Sequence, residues 1–194
     1  EAQLLTNTDN IIMGPEFPFN DESIDERALA MARLLGSTSY SKYYDKLGVD
    51  SKYDVKVIKK DIKLFTIENV DTEENEHCTE VHFPVLIQEL LRDAPKTVGF
   101  VPEMIINGSI SVVREFLASL FGTCQGIPPQ LHNALRTMFV EEINEDNLER
   151  LFHLNEIVML LNRFDLGARI VNRPDCNLYI IHIEDQVGFV EKIG

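Results

Sequence analysis

The stretch SISVVREFLASLFG, residues 109–122, decides the fold class, because it predicts the first of three consecutive helices that can pack together. Ser109 or Ser111 can cap its start, since a serine oxygen accepts a hydrogen bond from the unpaired amides of a first helical turn. Gly122 ends the pattern. Its apolar residues recur at helical spacing and form one stripe: Val113, Phe116, Leu117, Leu120 and Phe121.

Two further helices are predicted downstream of this one. After the sequence GIPP, the second helix places four apolar residues on one face: Leu131, Leu135, Met138 and Phe139. The third, LERLFHLNEIVMLLNRF at 148–164, is apolar on most sides between Leu151 and Leu161, as expected for a helix at the centre of a core. Because the connections are short, the three helices are expected to be antiparallel neighbours in a compact bundle.

The C-terminal tail changes from a helical to a strand pattern. NLYIIHI at 177–183 and VGFVEKI at 187–193 are typical of the two strands of a hairpin joined by a short turn. Residues 53–67 are ambiguous: Val55, Ile58 and Ile62 fit a helical spacing, whereas the β-branched content favours a strand. A lone hairpin is marginal in water, so we favour a strand over 53–67 that pairs with it.

The N-terminal half is less regular. Residues 1–22 are predicted to be an extended or flexible arm, and helices are expected over 23–36 and from Pro84 to Pro95, with an acidic loop over 70–80 between them. No internal repeat is visible. The sequence therefore predicts an α+β fold, with a predominantly helical bundle core and a small antiparallel sheet that includes a C-terminal hairpin.

The predicted organisation is a single domain over 23–194, with a helical core at about 99–166 and the hairpin at 177–193. No apolar run approaches the roughly 20 residues that span a bilayer. Three cysteines at wide spacing favour reduced thiols, so we expect an intracellular protein of the cytoplasm or nucleus. The net charge of −14 argues against direct nucleic-acid binding and favours a protein partner, which can include one with a basic surface.

The two basic residue types are segregated along the chain. Residues 97–191 contain no lysine but six arginines and thirteen acidic residues. Arginine is enriched at protein interfaces and lysine is depleted there. We therefore take Arg163, Arg169 and Arg173 as candidate partner-binding residues. The alternative is that they complement the negative C-terminal end of the third helix.

Candidate chemistry is sparse. His77, Cys78 and His82 could ligate a metal, but a structural zinc site usually needs four ligands, and only Cys124 or His132 could complete this one through a tertiary contact. No nucleophile, phosphate-loop or dinucleotide pattern is present. We expect no catalytic residue, no resident metal and no cofactor.

Gly36-Ser37, followed by KYDVKV at 52–57, resembles the active-site entrance of nucleotidyltransferases, which pairs a Gly-Ser turn with two carboxylates on a strand. Lys56 stands where the second carboxylate is expected, so the resemblance implies a degenerate relative. The favoured function is a non-catalytic scaffold or adaptor domain. The alternatives are a degenerate nucleotidyltransferase-like or other cryptic enzyme, and an acidic factor that binds a basic protein.

Overall fold

The computed structural model describes residues 25–39, 44–49, 52–76, 78–98, 100–122, 139–142, 149–173 and 178–194. Within those ranges the chain forms seven helices and six strands. In chain order they are α1 (Glu26–Ser37), β1 (Lys46–Val49), α2 (Lys52–Ile62), β2 (Thr72–Glu74), β3 (Thr79–His82), α3 (Val85–Arg92), α4 (Glu103–Ile106), α5 (Ile110–Gly122), β4 (Phe139–Glu142), α6 (Glu149–Asn162), β5 (Ala168–Arg173), β6 (Leu178–Ile183) and α7 (Gln186–Lys192).

The predicted fold class is confirmed: the chain is α+β, with a helical core, small antiparallel sheets and a hairpin near the C-terminus. Helices α1, α3, α5 and α6 lie where the apolar spacing predicts them. One hydrophobic cluster runs through the molecule. Its largest fully buried side chains include Phe116 and Leu117 of α5 and Leu154 and Ile157 of α6.

The order of elements is duplicated, although the sequence shows no repeat. Helix, strand, helix, strand, strand, helix occurs first as α1 to α3 and again as α5 to α7, with the short α4 between the two halves. Each half builds one three-stranded antiparallel sheet, in the order β1-β3-β2 and β4-β6-β5. The third strand of each half is therefore the central one. The two halves share a topology and differ in the side chains that they carry.

The two halves meet where α1 packs against α5, at a distance that requires glycine. A Cβ atom added to Gly36 would overlap the carbonyl oxygen of Phe116 and lie 3.0 Å from the Cβ atom of Ser119. Gly36 is buried, as are Ala30 and Ala32 in the same helix. The close approach falls in the C-terminal half of both helices, so the crossing brings their C-terminal ends together.

A charged network joins three helices beside this contact. The guanidinium of Arg33 in α1 donates two hydrogen bonds of 2.7 Å to the carboxylate of Asp61 in α2. It donates a third, of 2.8 Å, to Glu115 in α5. Asp61 is only 1% exposed. The hydrogen bond from Arg33 to Asp61 is the largest cause of a raised pKa for the guanidinium, which therefore stays charged.

The strand predicted over 53–67 is wrong, because residues 52–62 form α2. The helical spacing of Val55, Ile58 and Ile62 was the correct signal: Ile58 and Ile62 are buried and Val55 is partly buried. The helix also positions Asp61 for its buried ion pair with Arg33. Tertiary packing has overridden the β propensity of the segment.

The first strand of the hairpin predicted over 177–193 is confirmed, and the second strand is wrong. β6 pairs with β5, which precedes it, while residues 186–192 form α7. Asp185 caps α7, because its side chain accepts a hydrogen bond of 2.8 Å from the amide of Gly188. Phe189 and Ile193 are buried four residues apart, which is a helical spacing.

The loop predicted over 70–80 contains two exposed or partly exposed strand segments, β2 and the start of β3. Phe139, placed on the second predicted helix, begins β4 instead. The rest of that helix and the N-terminal arm over 1–22 lie outside the described residues, and the division into an arm and a single domain stays a prediction. In the described part of the chain, no helix is long and apolar enough to cross a membrane.

Substituting Gly36 with alanine is expected to destabilise the protein by about 2–3 kcal/mol, because the new methyl group forces α1 and α5 apart. Urea unfolding measures the change. Gly122→Ala is the matched control, since a Cβ atom there meets nothing within 4 Å, and it should be neutral or stabilising by up to about 1 kcal/mol. Equal effects of the two variants would contradict the close packing.

Arg33→Ala is expected to cost about 3 kcal/mol in the free energy of unfolding, because it leaves the buried carboxylate of Asp61 without its counter-ion. Arg114→Ala is the control: Arg114 also contacts Glu115, but its side chain is 49% exposed, so its loss should cost less than about 1 kcal/mol. An Arg33→Ala loss as small as that of the control would show that the network contributes little.

Candidate functional site

The second sheet, β4-β6-β5, has one face in the core and one face turned outwards. The core face is set by alternation along β5 and β6: Ala168, Ile181 and Ile183 are buried, and Ile170 and Tyr179 pack against the same cluster. Because successive side chains on a strand point to opposite faces, the residues between them point away from the core. Contact with the core on one side of the sheet is enough to explain that alternation.

The outward face of this sheet carries two of the three arginines that the sequence analysis selected. Arg169 and Arg173 alternate with Val171 along β5. In β6, His182 lies opposite Arg169, Ile180 opposite Val171, and Leu178 opposite Arg173. We call these six residues the arginine face. It combines cationic side chains with a strip of partly exposed aliphatic ones.

One cation of the arginine face has a carboxylate partner. Arg169 pairs with Glu184 at 3.2 Å, and both side chains are more than half exposed. The Nδ1 atom of His182 is shielded from solvent and has no hydrogen-bond partner within the described residues.

Arg163 lies elsewhere and has a different role. Its guanidinium donates to the carbonyl oxygens of Ile106, the last residue of α4 (3.3 Å), and of Gly108, which follows α4 (3.0 Å). Burial lowers its pKa from the usual arginine value. The structure therefore separates Arg163 from Arg169 and Arg173. Arg163 connects the end of α6 to the loop before α5, whereas Arg169 and Arg173 lie on the arginine face.

The outward face of the first sheet is chemically different, although its topology is the same. Lys46 pairs with Glu80 at 2.8 Å, and this hydrogen bond is the largest cause of the raised pKa of Lys46. His82 lies 3.9 Å from Glu73. Carboxylates therefore neutralise the cations on this face. The arginine face differs in carrying two arginines beside partly exposed aliphatic side chains, and Arg169 pairs there with Glu184.

The fold regroups the residues that the sequence analysis considered as candidate metal ligands. His82 assembles with Glu73 and Glu80, and the ligand atoms of the three lie within 4.8 Å of one another. Cys78 is a free thiol whose sulfur lies against Gly48, outside that group. His77, Cys124 and His132 fall outside the described residues. Two carboxylates and an imidazole are donors that suit Mn²⁺ or Zn²⁺, but Lys46 already occupies one oxygen of Glu80.

The C-terminal ends of α1 and α5, which pack together, lie in two stretches of the chain that contain no acidic residue. Residues 27–44 and 116–140 contain no Asp or Glu, in a chain with 32 acidic residues among 194. The first run covers α1 beyond its first residue, and the second covers the last turns of α5 and the residues that follow. This depletion of acidic residues can be seen in the sequence, but the net charge of the whole chain does not reveal it.

The resemblance to the nucleotidyltransferase entrance is not borne out by the fold. Gly36 and Ser37 are the last residues of α1 rather than a turn before a strand. Asp54 lies in the first turn of α2, where the resemblance requires a strand. Gly36 is explained by the packing of α1 on α5.

Solved structures with this architecture exist. A variant of I-DmoI, in complex with its nicked target DNA and in the presence of manganese, is 14% identical and aligns over 87% of this chain and 97% of its own, with a TM-score of 0.59. The chain has the fold of I-DmoI. Another structure of this homing endonuclease, from work on mesophilic variants, gives 15% identity over the same shares and a TM-score of 0.56.

The N-terminal LAGLIDADG domain of DUF199/WhiA has the same fold. It is 16% identical to this chain, aligned over 90% of this chain and 87% of its own, with a TM-score of 0.51. No family model matches the sequence, and no curated protein matches it either.

This likeness overturns the interpretation of the chain as a non-catalytic scaffold or adaptor for which nucleic acid is an unlikely partner. The solved structures that share its fold include an endonuclease bound to its target DNA. The alternatives of a degenerate nucleotidyltransferase and of an acidic factor for a basic protein are overturned with it. The inference from net charge failed because a sum over the whole surface says nothing about one face.

Proposed function

We propose that this chain binds double-stranded DNA inside the cell, through the arginine face of its second sheet. The observation that carries the proposal is the contrast between the two outward sheet faces. The same topology presents paired carboxylates in one half and alternating arginines and aliphatic residues in the other. Since the fold does not require the arginines, a ligand that arginine recognises is the simplest reason for them.

The side chains of the arginine face suit the edges of base pairs. Strands can enter a groove of DNA and read it. An arginine binds the O6 and N7 atoms of guanine through two hydrogen bonds, and aliphatic side chains contact the methyl group of thymine. Arg169 and Arg173 lie on the same face of β5 with Val171 between them. The likeness of the whole fold to a DNA-bound endonuclease supports this assignment.

The net charge of −14 is compatible with DNA binding if the carboxylates lie away from the contact. The two acid-free runs and the arginine face indicate that they are unevenly distributed. Phosphate contacts release counter-ions from the duplex, so the affinity is expected to fall steeply as salt rises.

Arg169→Ala and Arg173→Ala are each expected to weaken binding to a sequence selected from a random duplex library by roughly tenfold or more, because a bidentate arginine contact contributes about 1–3 kcal/mol of discrimination. Fluorescence anisotropy of a labelled duplex measures the dissociation constant. Binding to unrelated duplexes should weaken less, so the ratio of the two constants falls.

Arg92→Ala is the matched control for this series. Arg92 is exposed on α3 and contacts Asp93, so its loss should leave both dissociation constants unchanged. The proposal is wrong if the wild-type chain binds no duplex, or if Arg92→Ala reduces the affinity as much as the two variants of the arginine face.

A second candidate function is metal-dependent cleavage of the bound strand, favoured by the group Glu73, Glu80 and His82. A divalent ion held there would supply an activated water and neutralise phosphate charge. Glu73 and Glu80 are directly opposite in β2 and β3, which positions both carboxylates on one face. Lys46 must release the oxygen of Glu80 for the ion to bind.

Incubation of supercoiled plasmid with the protein and Mn²⁺ should yield nicked plasmid, and Glu80→Gln should lower the rate at least tenfold by removing a charged ligand. Glu76→Gln is the control, because Glu76 is exposed and outside the group. If neither Mn²⁺ nor Mg²⁺ supports nicking while the duplex still binds, cleavage is excluded for this group and DNA binding stands.

A further inference from the structure

Helix α2 carries a concentrated cationic surface that the arginine face does not include. Five of the nine lysines of the chain lie within twelve residues: Lys52, Lys56, Lys59, Lys60 and Lys63. At about 100° per residue, all five fall within an arc of about 100° on the helix. Ile58 and Ile62, on another side of the same helix, are buried. We call the five residues the lysine stripe.

The fold itself does not require this stripe. The equivalent helix of the second half, α6, contains one arginine, Arg150, with Arg163 directly after its end, and no lysine. Residues 97–191, which include the whole second half up to the last turn of α7, are free of lysine. The duplication therefore provides an internal comparison: two helices at the same place in the topology, of which only one carries the stripe.

Neighbouring carboxylates neutralise only part of the stripe. Lys52 lies 3.7 Å from Glu74, and both side chains are more than 70% exposed. Lys59 donates to the hydroxyl oxygen of Thr72 at 3.2 Å. Lys56 and Lys60 are exposed and form no ion pair within the described part of the chain. Exposed like charges at this spacing repel one another, so the stripe is unfavourable for the stability of the isolated chain.

The stripe stands on a rigid support. Asp61 anchors α2 to α1 through two hydrogen bonds of 2.7 Å from Arg33. Ile58 and Ile62 insert into the core. The backbone positions of the lysines are therefore fixed before any ligand binds, which lowers the entropy that binding must offset.

We propose that the lysine stripe binds the phosphate backbone of a nucleic acid duplex, as a contact additional to the arginine face. This proposal rests on the proposed function. Lysine is a compact, strongly hydrated charge that suits phosphates without reading bases, whereas the planar guanidinium suits base edges. The first half of the chain positions the duplex through phosphates and the second half reads it.

The test compares two double variants of equal net charge. Lys56→Gln with Lys60→Gln removes two members of the stripe, and Arg92→Gln with Arg114→Gln removes two exposed cations elsewhere. The dissociation constant for a labelled duplex of random sequence is measured by anisotropy between 50 and 300 mM salt, conditions chosen because each phosphate contact adds about 0.9 to the salt slope. Thermal unfolding of both variants checks that they remain folded.

The stripe variant is expected to lose about two units of salt slope and to bind at least tenfold more weakly, equally for selected and unrelated sequences. The control should stay close to the wild type. An unchanged slope in the stripe variant, with wild-type binding intact, overturns this proposal and leaves the arginine face standing. Tighter binding by the stripe variant also overturns it, since the stripe then pairs with acidic residues of the chain. If the wild type binds no duplex, both proposals fail.

Discussion

The contact between α1 and α5 is the constraint on which the rest of the structure depends. A Cβ atom at Gly36 has no room beside Phe116 and Ser119, so one glycine lets the two halves of the molecule meet. The network of Arg33 with Asp61 and Glu115 extends the same contact to α2. Because each half builds its own sheet outward from this pair of helices, the positions of both sheet faces follow from it.

Because the two halves share a topology, the differences between their side chains are what indicates function. Topology repeats, but the first sheet presents Lys46 and His82 paired with carboxylates, and the second presents Arg169 and Arg173 beside aliphatic side chains, with Arg169 paired to Glu184. The lysine-free stretch, residues 97–191, coincides with the second half of the duplication. Segregation of lysine from arginine thus has a structural boundary, which runs between two copies of one topology.

Regular apolar spacing made much of the fold predictable. α1, α3, α5, α6 and β6 were all found from patterns that burial imposes on their own residues. α2 and α7 were misassigned because both are short and rich in valine and isoleucine, and what fixes them is a tertiary ion pair at Asp61 and a cap at Asp185. The duplication could not be seen in the sequence, because backbone pairing preserves a topology without requiring similar residues in the two halves.

The candidate site was predictable only in part. Arg169 and Arg173 share one face of β5, whereas Arg163 was grouped with them only because the end of α6 and the start of β5 are close in sequence. Nothing in the sequence indicated that the carboxylates of Glu73 and Glu80 would meet His82, since β2 and β3 were taken for a loop. Net charge was misleading because it is a property of the whole chain.

Chemical-shift mapping by nuclear magnetic resonance tests the central claim most directly, because it reports contacts residue by residue in a chain of 22.2 kDa. On titration with a duplex, the largest backbone shift changes should lie in β5 and β6, with Arg169, Arg173 and His182 among them. The first sheet around Lys46 should change little. Shift changes confined to the first sheet, or to α3 and α7, would contradict the account.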